Sequence, residues 1–177
     1  MPTALTIRRS EPADFETWLA LFEEVAGEGM WIGAELPVDP AWAKPMFDRF
    51  DRAHNASFVA HIDGELVGHL HVESRMGVGE LGMMVRDGFR ATGIGSALME
   101  ACIDWCRTDN AFKVVLQVWP HNEAAIGLYR KFGFAIEGRL RRQWRRRSGE
   151  LWDAISMGLV LDTDSPGSAH LDAPTLG

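Results

Sequence analysis

Hydrophobic positions change period several times along the chain, and each change marks an element. Leu5 and Ile7 alternate with polar neighbours as a strand does, and after Pro12 the apolar residues Phe15, Leu19, Phe22 and Ala26 recur at helical spacing. Asp39 followed by Pro40 is a helix cap and first-turn proline, and Trp42, Met46, Phe47 and Phe50 predict a short second helix. Between them, residues 27–39 carry three glycines and a proline yet present Trp31 and Ile32, a composition that suits a pocket-lining loop. Residues 57–62 and 65–73 are β-rich runs joined by Asp63-Gly64, a two-residue hairpin turn. A fourth strand over 80–85 leads through a glycine-containing segment into a long helix whose Ile94, Ala97, Leu98, Ala101, Cys102 and Trp105 recur at three and four. A fifth strand covers 113–118. Pro120 ends its ladder, and Asn122 caps a helix to Phe132 that Gly133 terminates. Residues 134–144 and 151–161 form a last antiparallel pair, and the polar tail from 162 to 177 predicts disorder.

The length, 177 residues, is that of one ordinary domain, placed over 1–161. Hydrophobic residues at 46% and charged residues at 24% exclude a disordered or collagenous chain. The net charge of −7 repels polyanions, so a general nucleic-acid partner is not expected and any anion must be bound locally. Cys102 and Cys106, four apart, suit one helix face as reduced core thiols rather than a disulfide framework. No apolar run approaches the roughly 18 residues of a spanning helix, and residues 1–10 lack an apolar signal core; a cytoplasmic protein without a membrane partner is expected.

Two segments carry candidate chemistry. In the first, a strand and short turn precede Arg90-x-x-Gly93-x-Gly95 at a helix start, where unpaired N–H groups and the helix dipole make an anion site. Ser96 adds a hydroxyl and Arg90 a charge, although a glycine turn serving packing alone fits the same residues. The segment lacks the Gly-Lys-Ser/Thr ending of an NTPase loop and the three-glycine dinucleotide fingerprint. In the second, Tyr129, the only tyrosine, follows Asn122 by seven residues, so both border similar faces of one helix; alone it would read as a packing aromatic.

Together, Arg90-Ala-Thr-Gly-Ile-Gly-Ser-Ala-Leu and Asn122-x-x-Ala-Ile-x-Leu-Tyr-x-Lys-x-Gly-Phe resemble the GNAT superfamily of N-acetyltransferases, over roughly residues 4–161. The resemblance implies a mixed α/β fold: a mostly antiparallel sheet of six or seven strands, splayed between strands 4 and 5, with about four helices. Acetyl-coenzyme A is the implied acyl donor, lying in the splay. Met83, Met84 and Val85 would pair through their main chain with its pantetheine arm. Arg90, Ala91, Thr92, Gly93, Ile94, Gly95 and Ser96 would hold its pyrophosphate, Asn122 would contact the pantetheine end, and Tyr129 would face the sulfur. The Glu-Leu-Gly-Met-Met-Val strand and the Glu137-Gly138-Arg139 and Trp152-Asp153 endings look most like the branch acting on amino acids and small amines, and family habit implies a homodimer.

Direct attack of an amine on a thioester needs a base, an oxyanion donor and an acid for the leaving thiolate. Tyr129 suits the acid, the Val85 N–H the oxyanion, and Glu80 the base; an exposed strand carboxylate paired with an arginine is the plainer reading of Glu80, and His69 and His71 are the other bases. Trp31 and Ile32 are expected to wall the acceptor, and Glu28 or Glu35 to attract its ammonium. No His/Cys/acid spacing suggests a metal. Six arginines between 139 and 147 are best read as a solvated strand pairing with the chain's own carboxylates or a second subunit. The expected activity is direct acetyl transfer to a primary amine of a small, amino-acid-like molecule. Acetylation of a protein N-terminus or lysine is the alternative within the class, and a non-catalytic acyl-coenzyme A-binding module is the alternative outside it.

Overall fold

A computed structural model describes residues 4–50 and 52–161; the tail from 162 lies outside the described residues. Among these residues seven strands form one sheet in the order β1-β2-β3-β4-β5-β7-β6, flanked by four α-helices. The strands are β1 (Leu5–Arg9), β2 (Asn55–Ile62), β3 (Glu65–Arg75), β4 (Val78–Val85), β5 (Lys113–Val118), β6 (Ala135–Arg145) and β7 (Leu151–Val160). The helices are α1 (Phe15–Gly27), α2 (Pro40–Arg49), α3 (Ile94–Thr108) and α4 (Glu123–Lys131). Every neighbouring pair is antiparallel except β4 and β5. This is the mixed α/β architecture expected, and no described helix is long and apolar enough to cross a membrane.

Local chemistry explains the boundaries. Asp63 and Gly64 both take positive φ, 51° and 86°, so the β2–β3 turn has the twist that a two-residue hairpin requires. The Asp39 carboxylate accepts the Ala41 N–H at 2.8 Å and Pro40 opens α2. Asn122 caps α4 in the same way through the Ala125 N–H at 3.1 Å. The first helix begins at Phe15, where its apolar series begins; Pro12–Asp14 before it is a 3-10 turn, and the Asp14 carboxylate is held by Arg8 through two 2.7 Å contacts.

The two sheet faces carry separate apolar layers. Under α3, Leu98, Met99 and Cys102 pack against Leu70 and Val72 of β3 and Leu81 of β4. Both cysteines are buried there as free thiols. On the opposite face α1 and α2 bring Trp18, Phe47 and Phe50 against Val59 and Met84. His69 and His71 of β3 also lie on this face, stacked at 5.7 Å, and Phe50 covers His71 at 4.4 Å. Gly82 makes room for the second ring, since a Cβ there would stand 2.5 Å from His71 Cε1.

Burial keeps both imidazoles neutral. His71 is pushed down to about 4, with the Arg49 charge adding to desolvation, and His69 falls well below its ordinary value. The folded chain therefore binds fewer protons than the unfolded one between about 4 and 6.5, and stability falls as pH is lowered through that window. His71 accounts for at most about 3 kcal/mol of that loss. The His71→Gln variant is expected to show a smaller drop in Tm between about pH 7 and pH 4.5 than the parent. Parallel Tm curves for the two proteins would contradict this assignment.

Candidate active site

Strands β4 and β5 pair only over Val78–Glu80 and Lys113–Val115; beyond Glu80 they part. The phase of the β3–β4 ladder decides what the parting exposes. Arg86 N–H donates to the Val67 carbonyl at 2.9 Å, so the even-numbered residues of β4 exchange hydrogen bonds with β3 and the main-chain groups of Met83 and Val85 face the gap. The Val85 carbonyl is taken by Arg90 Nε at 2.9 Å, which leaves the Val85 N–H open beside the free peptide groups of Met83.

At one end of this gap α3 begins. Gly93 precedes it in the left-handed region, φ 96°, and no side chain caps the helix. The first intrahelical bond is from Ala97 N–H to the Gly93 carbonyl at 3.0 Å, so the N–H groups of Ile94, Gly95 and Ser96 have no partner in the helix. Three free donors at the positive end of a helix dipole, beside a glycine whose Cβ position is open space, fit a pyrophosphate. Gly95 also packs against α4, since a Cβ there would stand 3.0 Å from the Leu128 methyl.

The gap widens into one cavity of about 1030 Å³ that reaches from the start of α3 to the aromatic layer of α1 and α2. Most of the sequence-predicted residues meet in its wall: Glu80, Met83, Met84 and Val85 from β4; Arg90, Ala91, Gly93, Gly95 and Ser96 from the turn and α3; Asn122 and Tyr129 around α4; and Trp31, Ile32 and Glu35 from the 28–39 loop. Tyr129 is only 6% exposed, its hydroxyl has no hydrogen-bond partner among the described residues, and burial pushes it up to about 12. It is a protonated phenol throughout the neutral range. Among the described residues no three His, Cys, Asp or Glu side chains converge as a metal site.

Other predicted residues stand elsewhere. Ile94 is buried in the α3 layer, leaving only its N–H available, and the Thr92 hydroxyl donates to the Phe89 carbonyl at 2.6 Å. Glu28 is not available to an ammonium: Arg90 grips its carboxylate at 2.7 and 2.5 Å, Trp31 Nε1 donates to it at 2.6 Å, and the Arg90 guanidinium holds it below the usual carboxylate range. That same pair engages the Arg90 charge that the anion site was expected to use. Glu35 is occupied too, by the Arg147 N–H at 2.8 Å and by Arg146. Of the three carboxylates in the cavity wall, Asp39 caps α2 and Glu35 is paired; Glu80 alone has no such partner among the described residues.

The arginine run is not a solvated strand throughout. Arg139 pairs with Asp153 at 2.7 Å, as a plain surface reading expects, and Arg142 takes φ 53° in a bulge between Leu140 and Trp144 where β6 leaves the ladder. Arg146, beyond the strand, turns inward and is 4% exposed. Its aromatic bed, Trp119 and Trp152, is not legible in the sequence as part of the site, because neither shares an element or a periodicity with residues 28–39.

The sequence and the fold recur in known proteins. Residues 15–134 match the model of the Acetyltransferase (GNAT) family. The chain is 32% identical over 165 residues to the L-amino acid N-acetyltransferase AaaT of Escherichia coli, covering 88% of this chain and 98% of that protein. It is equally 32% identical, over 164 residues, to the L-methionine sulfoximine/L-methionine sulfone acetyltransferase of Pseudomonas aeruginosa, covering 89% and 95%. Among solved structures, yncA of Salmonella typhimurium, determined with its cofactor acetyl-CoA, superposes with a TM-score of 0.80 at 21% identity over 93% of this chain and 99% of that one. The parted strands, the uncapped helix start and the family match agree: this chain is an acetyltransferase belonging to the Acetyltransferase (GNAT) family.

Proposed function

We propose that the protein transfers an acetyl group from acetyl-coenzyme A directly to the primary amine of a small, amino-acid-like acceptor. The observation that carries this is the convergence, on one cavity, of the open Val85 N–H, the buried Tyr129 hydroxyl and the unpaired Glu80 carboxylate. Two relatives at 32% identity are named for amino-acid substrates, which supports the acceptor class. The aromatic and half-enclosed wall of Trp18, Phe22, Trp31 and Trp42 supports a small acceptor over a peptide laid along an open groove.

Acetyl-coenzyme A supplies an activated acetyl group as a thioester. The chain's own groups divide the remaining work. The N–H groups of Ile94, Gly95 and Ser96 bind the diphosphate, and the peptide groups of Met83 and Val85 hold the arm as an added strand would. The Val85 N–H is positioned to donate to the carbonyl oxygen as negative charge develops on it. Glu80 takes the ammonium proton, directly or through water, so that a neutral amine attacks. Tyr129 keeps its proton because its surroundings disfavour phenolate; a thiolate leaving beside it accepts that proton, and the proton that the attacking nitrogen loses on forming the amide returns to the Tyr129 oxygen, directly or through water. Cys102 and Cys106 are buried under α3 and do not line the cavity, so an acyl-cysteine has no place in this scheme.

Amine-dependent release of coenzyme A thiol is expected with a panel of L-amino acids and not with short peptides. Release with peptides alone would favour the protein-acetylating alternative, and cofactor binding with no release would favour the binding module. Tyr129→Phe is expected to lower kcat on the order of 10²-fold with acetyl-coenzyme A affinity retained. An unchanged kcat would remove Tyr129 as the acid. For Glu80→Gln, the deficit in kcat/KM is expected to reach about 10²-fold near pH 6.5 and to shrink as rising pH deprotonates the free amine without help. A deficit independent of pH would assign the base elsewhere.

A further inference from the structure

The loop over residues 28–39 forms one wall of the cavity but has no regular secondary structure of its own, and its placement depends on what grips it. One end is held by the Glu28–Arg90 pair. His121 Nε2 meets the Met30 carbonyl at 2.9 Å and Arg147 donates to the carbonyls of Leu36 and Pro37, but the middle makes most of its contacts with Arg146. Arg146 Nη1 donates to the carbonyls of Ile32 and Gly33 at 3.3 and 3.2 Å, and Nη2 donates to the carbonyl of Gly29 at 3.1 Å and pairs with Glu35 at 3.4 Å. The guanidinium lies 4.5 Å from the ring centre of Trp152 and 5.9 Å from that of Trp119. The backbone of Arg146 is fixed in turn by the last hairpin, its N–H donating to Glu150 O and its carbonyl accepting from Gly149 N–H, both at 2.8 Å.

A buried guanidinium is tolerated only where its donors and charge are matched, and here three carbonyls, a carboxylate and two aromatic faces supply the match. Those partners are the backbone on either side of Trp31 and Ile32, the two residues that wall the acceptor end. Arg146 itself does not line the cavity, whereas its neighbour Arg147 does. We propose that Arg146 is the positioning residue of the acceptor site: through its grip on residues 29–35 it sets affinity for the amine without touching it, and it leaves the acetyl-coenzyme A site unaffected. This rests on the reading that the cavity acetylates a small amine. The planar fork is what matters, since a lysine ammonium carries the same charge but cannot span carbonyls at Gly29, Ile32 and Gly33.

The test is Arg146→Lys. The amine KM is expected to rise about tenfold or more, with kcat within about threefold and acetyl-coenzyme A affinity within about twofold of the parent. An amine KM within about twofold of the parent would overturn the proposal, as would parallel losses of amine KM, acetyl-coenzyme A affinity and Tm, which is the signature of a merely structural residue. Limited proteolysis reads the loop without turnover: cleavage within residues 28–36 is expected to quicken in the variant, and an unchanged cleavage rate would overturn the proposal even if the parent acetylated no amine tested. Absence of any amine-dependent release by the parent would count against the functional reading and not against the grip itself. Should Arg146→Lys fail to fold, Trp152→Leu removes one aromatic face from the guanidinium. A rise of about threefold in amine KM is then expected, and no change would overturn the proposal.

Discussion

Beyond Glu80 and Val115 the strands β4 and β5 stop exchanging hydrogen bonds, and the peptide groups on the facing edges must find partners elsewhere. A sheet interior with unsatisfied edges is costly to bury, so the gap stays open as a cavity instead of closing into a core. The rest of the molecule is arranged around that fact. The antiparallel phase set by β3 points Met83 and Val85 into the gap, α3 starts at its mouth with three free N–H groups, and α4 brings Asn122 and Tyr129 to its far side. Polar backbone left open by topology is thus free to pair with an extended, anionic ligand.

The charges of this acidic chain are deployed in a related way. Arginines in the turns are used internally: Arg90 on Glu28, Arg146 on a loop of carbonyls and Glu35, and Arg147 on the carbonyls of Leu36 and Pro37 at 2.7 and 2.9 Å. The loop over residues 28–39, which lines the cavity, is therefore fastened to both halves of the sheet, to the β4–α3 turn by one ion pair and to the last hairpin by another. On the same face, burial strips charge from His69 and His71, so the aromatic layer beneath the cavity carries no protonated imidazole near neutrality. Glu80 is left as the wall's one unpaired carboxylate among the described residues, facing the same cavity as the two neutral imidazoles.

Much of this is legible in the sequence where the signal is local. Asp63-Gly64, Asp39-Pro40 and Asn122 each fix a turn or cap within a few residues, and the three-and-four spacing from Ile94 identifies the buried side of α3. The two motifs, Arg90 to Ser96 and Asn122 to Phe134, locate the cavity because each sits at a helix start. What escapes is non-local. Glu28 reads as a free carboxylate until the fold brings Arg90, 62 positions away, onto it. Arg146 reads as one more surface arginine until the turn of the last hairpin, beyond the end of β6, carries its side chain onto residues more than 110 positions earlier. Gly95 reads only as part of the anion site, whereas the fold also sets it against Leu128 on another helix.

The central claim, that the open peptide groups between β4 and β5 and at the start of α3 receive the acetyl donor, is tested most directly by amide hydrogen exchange with and without acetyl-coenzyme A. Slowed exchange is expected at Met83, Val85, Ile94, Gly95 and Ser96, with little change along β1, β2 and β6. Unchanged exchange at those five amides under saturating acetyl-coenzyme A, or protection confined to another surface, would contradict it.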